Sequence, residues 1–438
     1  MSLEAEYNEY SERREKIIRA GRWFSQSFEK DSVKAAIRGR LLRMQRLSKG
    51  RGIQFLLFSH DTNVSLFLSA ENGCYSDFTS LVRVGDLIVS EYSEDGKGLS
   101  VVDFSVAAVC AINPEDLNFF NHNAGNYKGD ALHKRVCGSR SEIDSYKTMS
   151  TVLESLHAAM RKESFLQVLT PTLERQYRGG YARPFVSHSN HFREDIFFRV
   201  SAEIHHKQLI IGGLERLYEI VLSFRNESAS SGARNGFNLV EVEAAFSDES
   251  LMFSVLRSFL SLACEKLGIE VPQPGPAQSA EQLLYESTGK SVGQIKELRT
   301  KAPYSALGDD AFSLNNYRLA NLILRRFVIP SCKGLSIVQD LKDNYSPFVM
   351  KTENEVFRWF VIWNGYKIAE VYRSETDAAL IRKGMEDICR NTGRSLSAYE
   401  NYLHSQCSGM PPIATMSIGI ERIIMVLCGK DDLHKVFE

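Results

Sequence analysis

Apolar residues recur along this chain at two spacings, and the switch between them divides it. In residues 4–30, Ile17, Ile18, Ala20, Trp23 and Phe24 roughly fit one face of a helix in a charged background. Residues 33–110 behave differently. Short β-rich runs at 33–44, 53–58, 64–68, 86–91 and 98–107 are separated by Gly, Asn, Asp and Lys turns. Five strands in so short a span predict a small closed barrel of the OB type, and an SH3-like barrel would read almost the same. Residues 111–145 are polar and turn-rich, as a connector would be. From Tyr146 the period becomes helical, with Met149, Val152, Leu153, Leu156 and Met160 on one face. Strand-like runs follow at 165–169, 196–200, 216–223 and 237–246. A hairpin-like turn joins the last two, which predicts an antiparallel sheet rather than a βαβ fold. Residues 248–345 read as a mostly helical insertion with a proline-rich break at 272–276. Strand character returns at 356–368 and 414–420, before a final helix. The expected class is α+β: a helix in 1–32, a barrel in 33–117, a connector in 118–145 and a sheet-based domain in 146–438.

Bulk properties narrow the picture. The chain has 438 residues, 43% hydrophobic and 24% charged, with a formal net charge of −1. That balance argues against holding nucleic acid by overall charge, though not against a local basic face. Arg38, Arg40, Arg43, Arg46 and Lys49 could form such a face, or a solvated strand edge. The eight cysteines form no CxxC pair, which argues against a zinc knuckle or a redox dithiol. Free thiols fit a reducing, cytoplasmic setting. No apolar stretch approaches the roughly 18 residues of a membrane span, and no signal pattern opens the chain.

The chemistry concentrates around Phe224-Arg225-Asn226-Glu227, between two strand runs. A fixed guanidinium there can hold a phosphate and a carboxylate together. This hairpin resembles motif 2 of class II aminoacyl-tRNA synthetases. Further segments match in order: Thr170-Pro171-Thr172 (motif 1), Gly179-Gly180-Tyr181-Ala182-Arg183-Pro184-Phe185, Phe198 to Glu203, Gly212 to Tyr218, and Pro411-Pro412 with Gly419-Ile420-Glu421-Arg422 (motif 3). Together they resemble the lysyl-tRNA synthetase family from about residue 33 to the end. The resemblance implies a class II catalytic domain, an antiparallel sheet flanked by helices, behind an OB-type barrel.

The resemblance also implies a reaction. A substrate carboxylate attacks the α-phosphate of ATP, and the aminoacyl group then passes to tRNA. Arg225 would bind the α-phosphate and the substrate carboxylate, and Arg422 would cover adenine or reach the γ-phosphate. Glu227 would accept from the adenine amino group, and Phe237 would stack on the base. Gly179, Gly180, Glu203, Glu243 and Glu375 would line the substrate pocket, Glu375 taking the ε-ammonium of lysine if Arg373 is an inserted residue. Glu243, where the family has tyrosine, would make the pocket more acidic and suit a basic amino acid. The implied cofactors are ATP and Mg2+, and the implied partners are tRNA and a second copy of the chain through motif 1.

Departures accompany these matches. Gly232-Ala233 stands where the family has Arg-His. Phe360 and Lys367 fall where two magnesium carboxylates are usual, and neither supplies a hard oxygen ligand. Lys367 could replace a metal's charge, while Glu241 could still hold one ion. Thr415 and Ser417 replace glycines and are expected to narrow the adenine cleft. In the barrel, Phe55 and Phe58 read first as core packing, with base stacking as the alternative. The alternatives to lysine transfer onto tRNA are a non-tRNA acceptor and a non-catalytic, tRNA-binding or regulatory relative.

Overall fold

A computed structural model describes residues 3–24, 36–59, 62–95, 98–110, 140–227, 234–341, 346–353, 355–433 and 436. The chain separates into two compact units, Met1–Asp144 and Ser145–Glu438.

The first unit opens with α1 (Leu3–Arg19). Strands β1 (Ala36–Arg46), β2 (Gly52–Ser59) and β3 (Thr62–Ser69) follow, then helix α2 (Tyr75–Leu81), β4 (Leu87–Asp95) and β5 (Gly98–Ala108). The strands close in the order β1-β2-β3-β5-β4, an OB-type barrel. Alternate residues Ile53, Phe55 and Leu57 point into its core beside Phe78, Phe104 and Val106. Phe55 is buried, its ring 4.8 Å from that of Phe78. Phe58 is half-buried and packs with Leu42 and Leu56. Helix α1 is pinned to the barrel by a buried ion pair, Arg13 to Asp86 at 2.7 Å. The same carboxylate accepts the backbone N–H groups of Arg83 and Cys110, which satisfies most of its acceptor capacity.

Helix α3 (Arg140–Lys162) lies mostly in the second unit, which continues with β6 (Leu166–Gln167), β7 (Leu173–Glu174), β8 (Val186–Ser189), β9 (Glu194–Phe198) and α4 (Glu203–Ile211). The hairpin β10 (Arg216–Phe224) and β11 (Gly236–Ala245) leads to α5 (Glu249–Leu267), β12 (Gln278–Ser279), α6 (Ala280–Thr288), α7 (Asp309–Ser313) and α8 (Asn316–Ile323). Next come β13 (Leu335–Gln339), β14 (Arg358–Trp363), β15 (Tyr366–Arg373), α9 (Ala378–Thr392), α10 (Glu400–Gln406), β16 (Ile413–Gly419) and α11 (Ile420–Leu427). Eight strands form one sheet in the order β12-β13-β14-β15-β16-β11-β10-β6, and β7, β9 and β8 form a small second sheet. All pairs in the large sheet are antiparallel except β12–β13 and β10–β6.

The large sheet has two unlike faces. Val240, Val242, Ala244, Met416, Ile418, Ala369 and Val371 pack against Val255, Leu256 and Phe259 of α5 and Ile423 and Ile424 of α11. Each buried Val, Leu, Ile, Met or Phe side chain there contributes about 1.5–3 kcal/mol by leaving water. The opposite face carries polar rows. Glu219, Glu241, Ser417, Glu370 and Phe360 are cross-strand neighbours in one row. Leu217, Glu243, Thr415, Tyr372 and Arg358 form the next. Paired residues share a face and period two keeps Glu241 and Glu243 together, so five strands deliver their chemistry to one surface.

Three sequence expectations need correction. The helical stretch at 248–345 is not one insertion. Helix α5 belongs to the main core, because its apolar stripe matches the sheet face it covers. The later helices build a core of their own from Leu284, Ile295, Leu298, Leu319 and Ile323 against Phe360 and Ile362. The run at 356–368 is two strands, β14 and β15, reversed at Asn364-Gly365. Both residues have positive φ, 48° and 86°, as a tight hairpin turn requires. A side chain at Gly365 would also strike the Pro330 carbonyl, 2.7 Å from the Cβ position. Finally, the run at 165–169 pairs with β10 only at Leu166–Gln167, with one further bond from the Val168 N–H to the Tyr218 carbonyl at 3.0 Å.

Candidate active site

At the neck of the β10–β11 hairpin the Arg225 N–H donates to the Asn235 carbonyl at 2.8 Å. Residues 228–233, with Gly232 and Ala233, lie outside the described residues. The Arg225 guanidinium stands 5.1 Å from the Phe237 ring centre, and its Nε is buried without a hydrogen-bond partner among the described residues. Arg422, in the first turn of α11, donates to the Lys367 carbonyl at 2.9 Å. Burial, and then the like charge of Arg225, lowers its pKa. The two guanidiniums therefore share one surface, with Phe237 beside Arg225. Glu421 fixes that arrangement by accepting the backbone N–H and side-chain amide of Asn238 at 2.7 and 2.8 Å. Glu227 is exposed just beyond the hairpin neck.

Phe360 and Lys367 meet at the next strands. The Lys367 ammonium lies 4.5 Å from the Phe360 ring centre and 2.8 Å from Glu370 Oε2. Arg358 approaches Glu370 at 3.5 Å and also pairs with Asp340. Burial opposes ionisation of Glu370, but Lys367 and Arg358 overcome it and hold its pKa at about 2. Arg325, exposed on a π-helical turn at Leu324–Val328, adds positive field at Glu370, Lys367 and Arg422. The donor set does not suit Mg2+. Glu370 is committed to cations, and among the described residues no three His, Cys, Asp or Glu side chains converge as a metal site. Glu241 is already engaged at both oxygens. Its Oε1 accepts from Ser201 Oγ at 2.7 Å and its Oε2 from the Ala202 N–H at 2.8 Å. It anchors the turn into α4, and burial raises its pKa.

One row away lies a second charged pocket. Lys207 is fully buried, its Nζ 3.3 Å from Glu203 Oε1 and 3.5 Å from Glu243 Oε1. It donates to Ser374 Oγ at 2.9 Å and Thr415 Oγ1 at 3.4 Å. The rings of Phe348 and Tyr372 flank it at 5.6 and 5.7 Å. The Tyr372 hydroxyl donates to Glu203, the carboxylate that keeps 19% of its side chain exposed. Burial pushes Glu243 up to about 7, against the pull of Lys207 and His206, and its Oε2 has no hydrogen-bond partner among the described residues. Thr415 thus belongs to this pocket, where it pairs with Glu243 and Tyr372 across the sheet. Glu375 does not enter it. β15 pairs regularly with β16 through Tyr372 and Arg373, so Arg373 is no insertion, and Ser374 takes the inward place. Glu375 instead accepts the N–H groups of Thr376 and Asp377 at 2.9 and 3.0 Å.

Behind this pocket Arg199 donates to Glu219 Oε1 at 2.8 Å and to the Thr170 carbonyl at 3.0 Å. Glu219 Oε2 accepts from Thr170 Oγ1 at 2.7 Å and faces His206 Nε2 at 3.1 Å. Burial would raise Glu219, but His206, Thr170 and Arg199 hold it at about 2. Gly179 and Gly180 lie beside Tyr177 and Tyr399. A Cβ on Gly179 would lie 2.3 Å from the Tyr177 hydroxyl. Gly180, at φ 59°, gives its N–H to Tyr399 Oη at 3.3 Å while its carbonyl accepts from Arg394.

Lys207, Ser374, Tyr372, Arg199, Glu219 and His206 were not singled out from the sequence as site residues, and Thr415, expected at the adenine cleft, lies against Lys207 instead. For Lys207 a signal existed: it stands four residues after Glu203 on a helix, the spacing of a facing pair. Its burial, which makes the pair consequential, had no signal.

A family model for tRNA synthetases class II (D, K and N) matches residues 139–438. The chain is 25% identical to a lysine–tRNA ligase of Prochlorococcus marinus, over 92% of this chain and 88% of that protein. It is 24% identical to a lysine–tRNA ligase of Thioalkalivibrio sulfidiphilus, over 93% and 87%. It is also 23% identical to the lysylphosphatidylglycerol biosynthesis bifunctional protein LysX of a Mycobacterium species, over 91% of this chain and 39% of that protein. Among the described residues, no helix is long and apolar enough to cross a membrane.

Proposed function

The chain belongs to the class II tRNA synthetases (D, K and N), and from that premise we propose that it activates an amino acid with ATP and passes it to tRNA. The observation that carries this reading is the Arg225 guanidinium beside the Phe237 ring, with Arg422 close enough to feel its charge. Adenine would stack on Phe237, with Arg422 on its other face and Glu227 accepting from its amino group. Arg225 would bridge the α-phosphate and the substrate carboxylate. In the first step a carboxylate oxygen forms a bond to the α-phosphorus, and the bond to pyrophosphate breaks. In the second a ribose hydroxyl attacks the acyl carbon and AMP departs. The protein's part is positioning and charge neutralisation, supplied here by Arg225 and Arg422 and by the field of Arg325 and Lys367. No step is assigned to Mg2+.

Glu203, the pocket carboxylate with solvent access, supports anchoring of the substrate's α-ammonium. The carboxylates Glu203 and Glu243, and the lysine in the relatives' names, support a basic amino acid. A homodimer formed through the segment around Thr170 is part of this reading. A second, non-catalytic reading draws support from Phe360 and Lys367 at the positions where metal carboxylates were expected.

The test is amino-acid-dependent ATP–pyrophosphate exchange with each amino acid, with and without Mg2+, followed by tRNA charging. Exchange with one amino acid and charging of tRNA is the expected result. Exchange without charging would redirect the reading to another acceptor. Absence of exchange with every amino acid, alongside tRNA binding, would establish the non-catalytic reading instead.

A further inference from the structure

Cations gather beyond the Arg225–Phe237 contact. Arg422 feels the charge of both Arg225 and Arg325, so one cationic surface runs from the β10–β11 hairpin to the π-helical turn at Leu324–Val328. That turn is seated over β14, because Leu324 and Val328 share a core with Phe360 and Ile362. Such turns are rare and recur at functional sites. Arg325, next to Leu324, is exposed and has no hydrogen bond or ion pair among the described residues.

Beneath the turn the charges balance in pairs. Lys367 and Arg358 face Glu370 and Asp340. Glu370 stays ionised, because those cations hold its pKa at about 2 against burial. Burial lowers the Lys367 pKa, and Glu370 beside it favours the charged form. Arg225, Arg422 and Arg325 are then in excess, offset by Glu421 next to Arg422 and by exposed Glu227 beyond the hairpin. The surface is net positive, and it is open: Lys367 keeps 33% and Glu370 24% of their side chains exposed. Such a surface suits a polyphosphate, for which lysine and arginine are direct ligands. It does not suit a divalent cation. Mg2+ at a phosphate site is tied to the protein by one or two carboxylates. Here it would meet Lys367, Arg358 and Arg325, and Glu370 is already held by the first two.

We propose that Lys367 and Arg325 hold the outer phosphates of a nucleoside triphosphate directly, and that nucleotide binding by this chain does not need Mg2+. The proposal rests on the reading of Phe237, Arg225 and Arg422 as the nucleotide site. It gives a binding role to Arg325, in a stretch where the sequence suggested no site residue. It makes Phe360 and Lys367 a different way of neutralising phosphate charge rather than the loss of a site.

Isothermal titration calorimetry of the full-length chain with ATP and AMP, each in EDTA and in Mg2+, tests it without requiring turnover. ATP is expected to bind in EDTA at least as tightly as in Mg2+. Arg325→Ala changes an exposed side chain, so folding is expected to be unaffected. Its ATP affinity in EDTA should fall about tenfold, as for one charge-assisted contact, with AMP affinity unchanged. Lys367→Glu puts a second carboxylate beside Glu370 and should make ATP binding depend on Mg2+. If that variant is too unstable to purify, Lys367→Met should lose ATP affinity in EDTA without recovery in Mg2+. Wild-type binding of ATP only with Mg2+ overturns the proposal and leaves the ligase reading standing. An Arg325→Ala variant that loses nothing, or loses ATP and AMP alike, overturns it as well. Failure of ATP to bind in either condition overturns both. If ATP binds in EDTA but no amino acid supports pyrophosphate exchange, the ligase reading falls and this inference stands.

Discussion

Two lysines serve adjacent rows of the polar sheet face, Lys207 from helix α4 and Lys367 from β15, and they are built differently. Lys207 is fully buried between Glu203 and Glu243, and among the described residues those carboxylates have no other ion-pair partner. Lys367 keeps 33% of its side chain exposed and pairs with Glu370, which also has Arg358. The first pocket is short of positive charge without its lysine. The second has a surplus, since Arg225, Arg325 and Arg422 add to Lys367. Net charge of −1 for the chain conceals both. In the proposed reading one surface would meet an amine and the other a phosphate, and Lys367 stands where a metal carboxylate was expected.

The comparison breaks if the two lysines respond alike. Lys207→Met strands Glu243 in the interior and is expected to cost about 3–5 kcal/mol of unfolding free energy in urea titration. Arg225→Ala is expected to lower pyrophosphate exchange by about 10²–10³-fold, as for loss of one pre-positioned charge donor, with little change in urea midpoint. Lys367→Met should cost only about 1 kcal/mol, because the side chain is part-exposed and Glu370 retains Arg358. Equal losses at the two lysines would refute the contrast.

The same contrast has opposite signs in pH. Glu243 is raised from 4.5 to about 7, so the native state binds its proton more tightly than the unfolded chain. Stability tied to Glu243 is present below about pH 4.5 and declines as pH rises to about 7. Glu370 is lowered from 4.5 to about 2. Its contribution is present above about pH 4.5 and is lost as pH falls toward 2. Glu243→Gln should remove the decline toward neutrality in denaturation curves, and Glu370→Gln should leave it in place. The smallest effect belongs to Glu375→Ala, about 0.5 kcal/mol as for a weak backbone cap, with amino-acid binding unaltered. Loss of binding there would return Glu375 to the pocket.

Much of this was legible in the chain. Alternation in 33–110 gave five strands because a closed barrel has one apolar side, and period two exposes that directly. The order of segments from Thr170 to Arg422 carried the family, and Arg225 and Phe237 do lie together because they flank one hairpin. The Asn364-Gly365 turn was also written in the sequence but lay hidden within an apolar run. Glu375 was misplaced because a one-residue shift in a strand exchanges its faces, and only the ladder with β16 shows that Ser374 points inward.

What the sequence by itself determined was local: helical and strand periods, the tight turns, and the identities of the charged residues on each strand. Tertiary structure alone decided which charges meet. Glu203 and Lys207 come from one helix, Glu243, Thr415 and Ser374 from three other segments, and their partnership depends on strand register and on exclusion of water. A carboxylate near a lysine in sequence is weak information. A carboxylate sealed with that lysine at low dielectric fixes what else the pocket can hold, because each uncompensated charge there is costly.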